Sequence, residues 1–391
     1  MPPAQPSRSP QLLVVIGCAV VLLAPALDTF LRLDPTPKPI ENRRLSTMPR
    51  APGDLAAVCA WPSRFDSWFA DHFGLRSTLV ETNARVKLQL LGVSPNPDRP
   101  VLVGRDGWLY FTESFELEDV LRKKPFTPAE LDLWCSALEA QRRWLESRGI
   151  RFLFILVPNK STIYPENLPA WVVTPNRPSR ADQLLEALRS RTAVEVLDLR
   201  GPLLEAKQRM PVYSSTETHW NPPGGHIAYT EIMNRLQLWF SEVHPLPRED
   251  FAEIPRRELG AGLAKMLDAQ RFLREDKVWL RPRRPLQARR VDASEYEPKE
   301  RGRGRPVVTE RQGGQIRRVV MLGDSFMVSL QTLLPEHFDR AVFLWWSQQE
   351  GFPAAVIEKE RPDVVIVELV ERLLSEYEPE APSPAPAQAL E

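Results

Sequence analysis

Five short apolar runs punctuate this chain, and they restrict its fold more than any other feature. They read "RFLFILVP" from Arg151, "VEVLDL" from Val194, "RRVVML" from Arg317, "AVFLWW" from Ala341 and "DVVIVEL" from Asp363. Each has the length of one strand, and most are nearly unbroken rather than alternating, which is the pattern of strands covered on both faces. Helical patterns lie between them. "TPAELDLWCSALEAQRRWLESRG" offers Thr127 as N-cap, Pro128 at the first helical position and Glu130 to close a capping box, and it stops at Gly149. A second helical pattern runs from Ala181 to Arg191. The alternation predicts an α/β fold, a mostly parallel sheet with helices on both faces, whose ligands bind beyond the carboxyl ends of the strands.

Composition bounds the function. With 391 residues, 43% hydrophobic and 26% charged, the chain can bury one large core or two smaller ones. Lysine plus arginine equal aspartate plus glutamate at 51 each, so no whole-chain field points to nucleic acid. Cys18, Cys59 and Cys135 follow no metal-ligand spacing, a Cys59–Cys135 disulfide has no support, and neither a metal nor a cofactor is expected.

The uncharged run "LLVVIGCAVVLLAPAL", Leu12 to Leu27, reads as a membrane segment within residues 1–32. A signal-anchor is the first reading. The small-x-small "APA" at Ala24–Ala26 keeps a cleaved signal peptide open, and a buried core helix is the third alternative. Basic residues after the run, Arg32, Lys38, Arg43 and Arg44, leave its orientation undecided. A proline-rich linker is expected over 33–60, a globular domain over 61–377 and a disordered tail over 378–391. Within the domain, residues 244–314 stand out as a basic insertion, either a solvated loop or a track for an anionic polymer.

Two motifs carry chemistry. In "RRVVMLGDSFMVSL" a strand runs into Gly323, Asp324 and Ser325 before a helical pattern, so the serine sits at a strand-to-helix turn. Gly323 permits the tight turn, and helix-start amides there suit a developing oxyanion, with Gly323 and Ser325 as candidate contributors. Ser325 as a simple helix cap is the competing reading. In "TETHWN", Glu217 precedes His219 by two residues. A serine hydroxyl needs a base, imidazole suits that task, and a carboxylate beside the second ring nitrogen would fix its tautomer. His72, His226, His244 and His337 are weaker candidates. Asn159 and Lys160, at the carboxyl end of the first predicted strand, could reach a substrate, as could Trp220 and Asn221. Glu368, Glu371 and Arg372 of "ELVERLL" read as an ion-paired structural cluster.

"TETHWN", "GDSF" and "DGWLYF", with "ENRRLSTMP", "FADHFGLR", "VPNKSTIYPENLP" and "ELVERLL", occur in an order that resembles the SGNH-hydrolase-like domain of the alginate O-acetyltransferase family, the AlgJ/AlgX-like group. The resemblance implies a flavodoxin-like esterase fold in which the histidine precedes the serine. It implies Ser325 as nucleophile, His219 as general base and acid, and Glu217 in the place of the family's usual aspartate, a departure of one methylene. It further implies transfer of an acyl group, acetyl foremost, to a polysaccharide. The expected donor is a multi-spanning membrane acyltransferase, with the chain at the bacterial inner membrane and its catalytic domain in the periplasm. An esterase, or a non-catalytic polysaccharide-binding assembly factor, is the alternative.

Overall fold

The computed structural model describes residues 8–31, 34, 44–297, 304–345 and 351–382. The chain divides into two compact units, Met1–Arg99 with Leu259–Leu273, and Pro100–Glu258 with Arg274–Glu391.

In the first unit, an apolar helix spans Arg8–Leu31. Its segment Leu12–Thr29 has a mean hydropathy of 2.3 and is 6% buried, and among the described residues no other helix is long and apolar enough to cross a membrane. The end of this helix is tied down by polar contacts. The Asp28 carboxylate accepts the amides of Asp34 at 2.7 Å and Leu75 at 2.8 Å, and Thr29 Oγ1 accepts that of Gly74 at 2.9 Å. A Cβ on Gly74 would fall 2.2 Å from Pro25 O, so glycine is what lets the two backbones approach. The linker expected over 33–60 ends early, because Asp54 Oδ1 accepts Ala57 N at 2.7 Å and caps a helix over Leu55–His72. Residues 35–43 of that linker lie outside the described residues. His72 stacks on Trp68 and hydrogen-bonds its carbonyl, a structural role.

The second unit is built on a sheet. In chain order its strands are β1 (Val101–Val103), β2 (Leu109–Phe111), β3 (Arg151–Val157), β4 (Glu195–Asp198), β5 (Phe251–Leu259), β6 (Arg274–Pro282), β7 (Arg289–Val291), β8 (Val307–Glu310), β9 (Ile316–Gly323), β10 (Phe338–Trp345) and β11 (Val364–Val370). The main sheet has the order β4-β3-β11-β9-β10-β8-β7. Its first five strands are parallel, and β8 and β7 add an antiparallel edge. The five apolar runs are those parallel strands. Alternate residues supply two cores: Leu153, Ile155 and Val157 face one side with Val319, Met321 and Ile366, while Phe152, Phe154 and Leu156 face the other with Val320, Leu322 and Val367. The helix Pro222–Gln237 covers the first side through Tyr229, Ile232 and Met233. Pro128–Glu146 and Arg180–Arg191 cover the second through Trp134, Leu138, Leu184 and Leu188. The Thr127–Glu130 capping box forms as the sequence predicts.

Residues 244–314 depart from the solvated-loop reading. They supply β5 and β6, which form a separate two-stranded sheet, and β7 and β8, which extend the main sheet. The apolar pair Val307–Val308 seats β8 against β10, and the density of arginines around it obscures that signal in the sequence. Residues 298–303 of this segment lie outside the described residues. At the carboxyl end, Gln141 Nε2 donates to Glu380 O at 2.7 Å, so the expected tail is engaged at least to that position, while 383–391 lie outside the described residues.

The helix Pro222–Gln237 has its N-terminus set by Asn221, whose Oδ1 accepts Gly224 N at 3.0 Å. Gly224 is then pressed against the neighbouring chain, where a Cβ would lie 2.1 Å from Val212 O. Since the obstacle is backbone, Gly224→Ala must displace residues 212–213 and the isolated bridge between Tyr213 and Trp220. A loss of about 1–3 kcal/mol is expected, the usual cost of overpacking. Equilibrium denaturant unfolding measures it, and an unchanged midpoint would contradict the packing described.

Candidate active site

β9, β11 and β3 are parallel neighbours, so their carboxyl ends open on one edge of the sheet. The turn after β9 is fixed by a reciprocal pair of contacts with β11. Asp324 N donates to Glu368 Oε2 at 3.0 Å, and Val370 N donates to Asp324 Oδ2 at 2.8 Å. Asp324 Oδ1 also accepts Phe326 N at 2.9 Å. Gly323 supplies room for this arrangement, since a Cβ there would lie 2.5 Å from Glu368 Oε2. Burial pushes the Glu368 carboxyl well above the usual carboxylate range, and the neighbouring Asp324 adds to it.

Ser325 follows, half-buried, and it does not cap the short helix Met327–Leu330. A hydrogen bond of 2.7 Å joins its Oγ to His219 Nε2. On the other side of the ring, His219 Nδ1 lies 3.2 Å from Glu217 Oε1, which also accepts Thr218 N at 2.8 Å. A carboxylate can only accept, so Nδ1 carries the proton and Nε2 is left to receive one from the serine. The Ser325 amide donates to no acceptor among the described residues, which leaves it available to an oxyanion at the same turn. The structure thus brings Ser325, His219 and Glu217 together from two segments about a hundred residues apart in sequence.

The loop carrying His219 is braced on every side. The Tyr213–Trp220 bridge closes it, and Trp220 sits edge-on to Phe326 at 5.0 Å while donating its indole N–H to Ser329 Oγ. The His219 ring packs 4.8 Å from the same Phe326. From β6, Glu275 Oε2 accepts both Thr216 N at 3.1 Å and Thr216 Oγ1 at 2.8 Å. Lys160 reaches the loop from the end of β3 and donates to the carbonyls of Ser214 and Ser215, each at 3.2 Å, and of Glu217 at 2.6 Å.

Three of the four expected substrate contacts are engaged within the protein instead. Lys160, Trp220 and Asn221 are buried and spend their polar atoms on the protein, with Asn221 Nδ2 donating to Pro211 O at 2.8 Å. Asn159 is buried as well, and its backbone N–H donates to Glu371 Oε2 at 2.9 Å, while its side-chain Oδ1 has no hydrogen-bond partner among the described residues. Glu368 and Glu371 of "ELVERLL", read in the sequence as part of an ion-paired cluster, accept backbone amides. They hold the turns after β9 and β3, with Thr162 Oγ1 as a further donor to Glu371. Burial pushes Glu371 up to about 7. His226 and His337 are drawn down to about 4, also by burial. Neither contacts Ser325: His337 Nε2 bonds the Tyr229 hydroxyl at 2.6 Å, and His226 packs on Phe251. Sequence reasoning missed Glu275, whose place on a strand inside the arginine-rich segment gave no sign of a contact with residue 216. It also missed Glu116, which is buried and accepts Ser161 Oγ at 2.8 Å.

Comparison with known proteins agrees with this fold. The probable alginate O-acetylase AlgJ of Pseudomonas syringae pv. tomato is 28% identical over 177 residues, 44% of this chain and 41% of the relative. Its counterpart in Pseudomonas fluorescens is 27% identical over 242 residues, 59% of this chain and 55% of the relative. The chain thus spans about half the length of these curated relatives or less. The solved structure of Bacillus cereus PatB1 shares the fold, with a TM-score of 0.52 at 17% identity over 70% of this chain and 96% of that one. The family model described as "SGNH hydrolase-like domain, acetyltransferase AlgX" matches residues 101–369, well over half of the sequence, and the chain belongs to that family.

Proposed function

We propose that this chain is an O-acyltransferase that holds an acetyl group on Ser325 and passes it to a hydroxyl of an extracytoplasmic polysaccharide. The observation that carries the reading is the continuous line from Ser325 Oγ through the His219 ring to Glu217. Relatives named as probable alginate O-acetylases support an anionic polysaccharide as acceptor.

In the first half-reaction, Ser325 Oγ attacks the acyl carbonyl of the donor as His219 Nε2 takes its proton. The Ser325 amide steadies the tetrahedral oxyanion, and His219 returns the proton to the leaving oxygen as the acyl-serine forms. In the second, a sugar hydroxyl gives its proton to His219, attacks the acyl carbon and leaves as the ester, restoring the serine. Glu217 stabilises the imidazolium present in each half. Water in place of the sugar would give hydrolysis by the same steps, so the acceptor alone separates a transferase from an esterase. The apolar helix Arg8–Leu31 supports a membrane anchor, where a multi-spanning acyltransferase could present the donor.

Ser325→Ala should abolish both acetyl transfer to an oligosaccharide and labelling by a serine-directed sulfonyl reagent while the protein remains folded. Retained transfer in that variant would remove the serine mechanism. Acetate release without acetylated sugar in the wild type would favour the esterase.

Glu217→Gln should lower turnover by up to about 10⁴-fold, the scale known for the orienting acid of a serine triad. Glu217→Asp keeps the charge and should retain activity to the extent that the loop closes the gap of one methylene. Near-normal turnover of the Gln variant would exclude Glu217 from the orienting role.

With an anchor, the intact chain should sediment with membranes and resist a high-salt wash. Recovery of a soluble chain beginning at Leu27 would identify the segment as a signal peptide instead.

A further inference from the structure

Lys160 stands out because its surroundings are unusual for a lysine. It is 2% exposed, yet its hydrogen bonds run to no carboxylate among the described residues. All three of its hydrogens have acceptors, and all three acceptors are backbone carbonyls of one short loop, those of Ser214, Ser215 and Glu217. The shortest of the three bonds, 2.6 Å, is to the carbonyl of Glu217 itself. Two rings flank the ammonium, with Trp108 5.6 Å and Tyr110 5.2 Å from it. Those aromatics belong to the "DGWLYF" segment, whose Leu109 amide donates to Ser215 O at 2.9 Å.

A buried ammonium held by carbonyl dipoles converts one charge into a geometric constraint. Carbonyl oxygens repel one another, and they converge only around a cation or a cluster of donors. The loop from Ser214 to Glu217 is curled around Nζ in this way, and its curl sets the direction in which the Glu217 side chain leaves the backbone. Glu217 Oε1 then lies against Thr218 N and His219 Nδ1.

We infer that Lys160 is a positioning residue for the Ser325–His219–Glu217 line, acting through the backbone of Glu217 without touching the reacting atoms. The inference rests on the catalytic reading above, which Ser325→Ala tests separately. The titration of Lys160 lends support. Burial draws its pKa down to about 7, against the opposing pull of Glu116, Glu217 and Glu275, the carboxylates that face it from the helix Glu116–Val120, the loop and β6. As pH rises through that value the ammonium becomes an amine with two hydrogens, so one carbonyl loses its donor and the constraint relaxes.

The test is a double-mutant cycle on full-length protein, read by the rate of sulfonyl labelling of Ser325 and by kcat and KM for acetyl transfer. Lys160→Met should lower kcat by about 10²–10⁴-fold with little change in KM, the range expected when a general base loses its alignment. Combined with Glu217→Gln, it should add less than about threefold, because both changes break one chain of contacts. The wild-type labelling rate should also fall with an apparent pKa near 7 on the alkaline side, and this limb should be missing in Lys160→Met. Multiplicative effects in the cycle, or an unchanged alkaline limb, would overturn the inference and leave Lys160 as a structural residue. If Lys160→Met does not fold, Lys160→Gln, whose amide keeps two donors, carries the same cycle: a sub-threefold increment supports positioning and a multiplicative effect overturns it. Activity lost in Ser325→Ala but kept in the lysine variants would reject the positioning role alone.

Discussion

The geometry of the site depends on one reciprocal contact between two neighbouring strands. Glu368 of β11 accepts the amide of Asp324, and Asp324 in turn accepts the amide of Val370, two residues beyond Glu368. Neither bond could exist if β11 were anywhere but next to β9. The last strand of the chain enters the middle of the sheet, between β3 and β9, so it can serve both neighbours. Glu368 reaches the Ser325 turn on one side while Glu371 reaches the amide of Asn159 after β3 on the other. Burying Glu368 is costly, by several kcal/mol if the group is ionised. The other six residues of β11 are apolar and fully covered, each contributing about 1.5–3 kcal/mol, and they outweigh that cost. The raised pKa of Glu368 is the other half of the solution, because the protonated form is the cheaper one to bury.

How much of this was legible in the sequence follows from the range of the interactions. The parallel strands and the longer helices were readable because their signals are local: a run such as "DVVIVEL" or a capping box such as Thr127–Glu130 declares itself within a few residues. The short motifs that hold Ser325, His219 and Glu217 were also legible, and the fold brings these three side chains within hydrogen-bond distance. What could not be read was which polar side chains face inward. Lys160 and Asn159 lie at the carboxyl end of a strand, where ligands are expected, and only the fold shows that the loop of residues 214–217 already occupies the lysine. The arginine-rich stretch misled for the opposite reason. Its charge lies on the exposed residues, whereas the parts that matter are Val308, buried against β10, and Glu275, buried against Thr216.

The site also shows how a loop can be rigid without belonging to a helix or strand. Its backbone is held by a cation at the carbonyls of Ser214, Ser215 and Glu217, a carboxylate at the amide and hydroxyl of Thr216, and a bridge at Tyr213 and Trp220. These three devices are drawn from the end of β3, from β6 and from the strand-like residues beside the helix Pro222–Gln237. Preorganisation of this kind is what acid–base catalysis requires, since a base that wanders by an ångström loses its advantage. Most of the structural specification of the site therefore resides in residues outside the Ser325–His219–Glu217 line.

That bracing bears on the glutamate at 217, which the resemblance expects to stand where the family usually has aspartate. A longer side chain has one more torsion to fix, and on a free loop it would cost the histidine part of its orientation. Here two contacts limit that freedom. Lys160 fixes the peptide that Glu217 projects from, and Thr218 N holds the same oxygen that faces His219 Nδ1. The extra methylene is thus accommodated by folding the carboxylate back onto its own loop, where one oxygen serves both Thr218 N and His219 Nδ1. The 3.2 Å separation there is longer than the 2.7 Å between His219 and Ser325, so the acid is the looser end of the line.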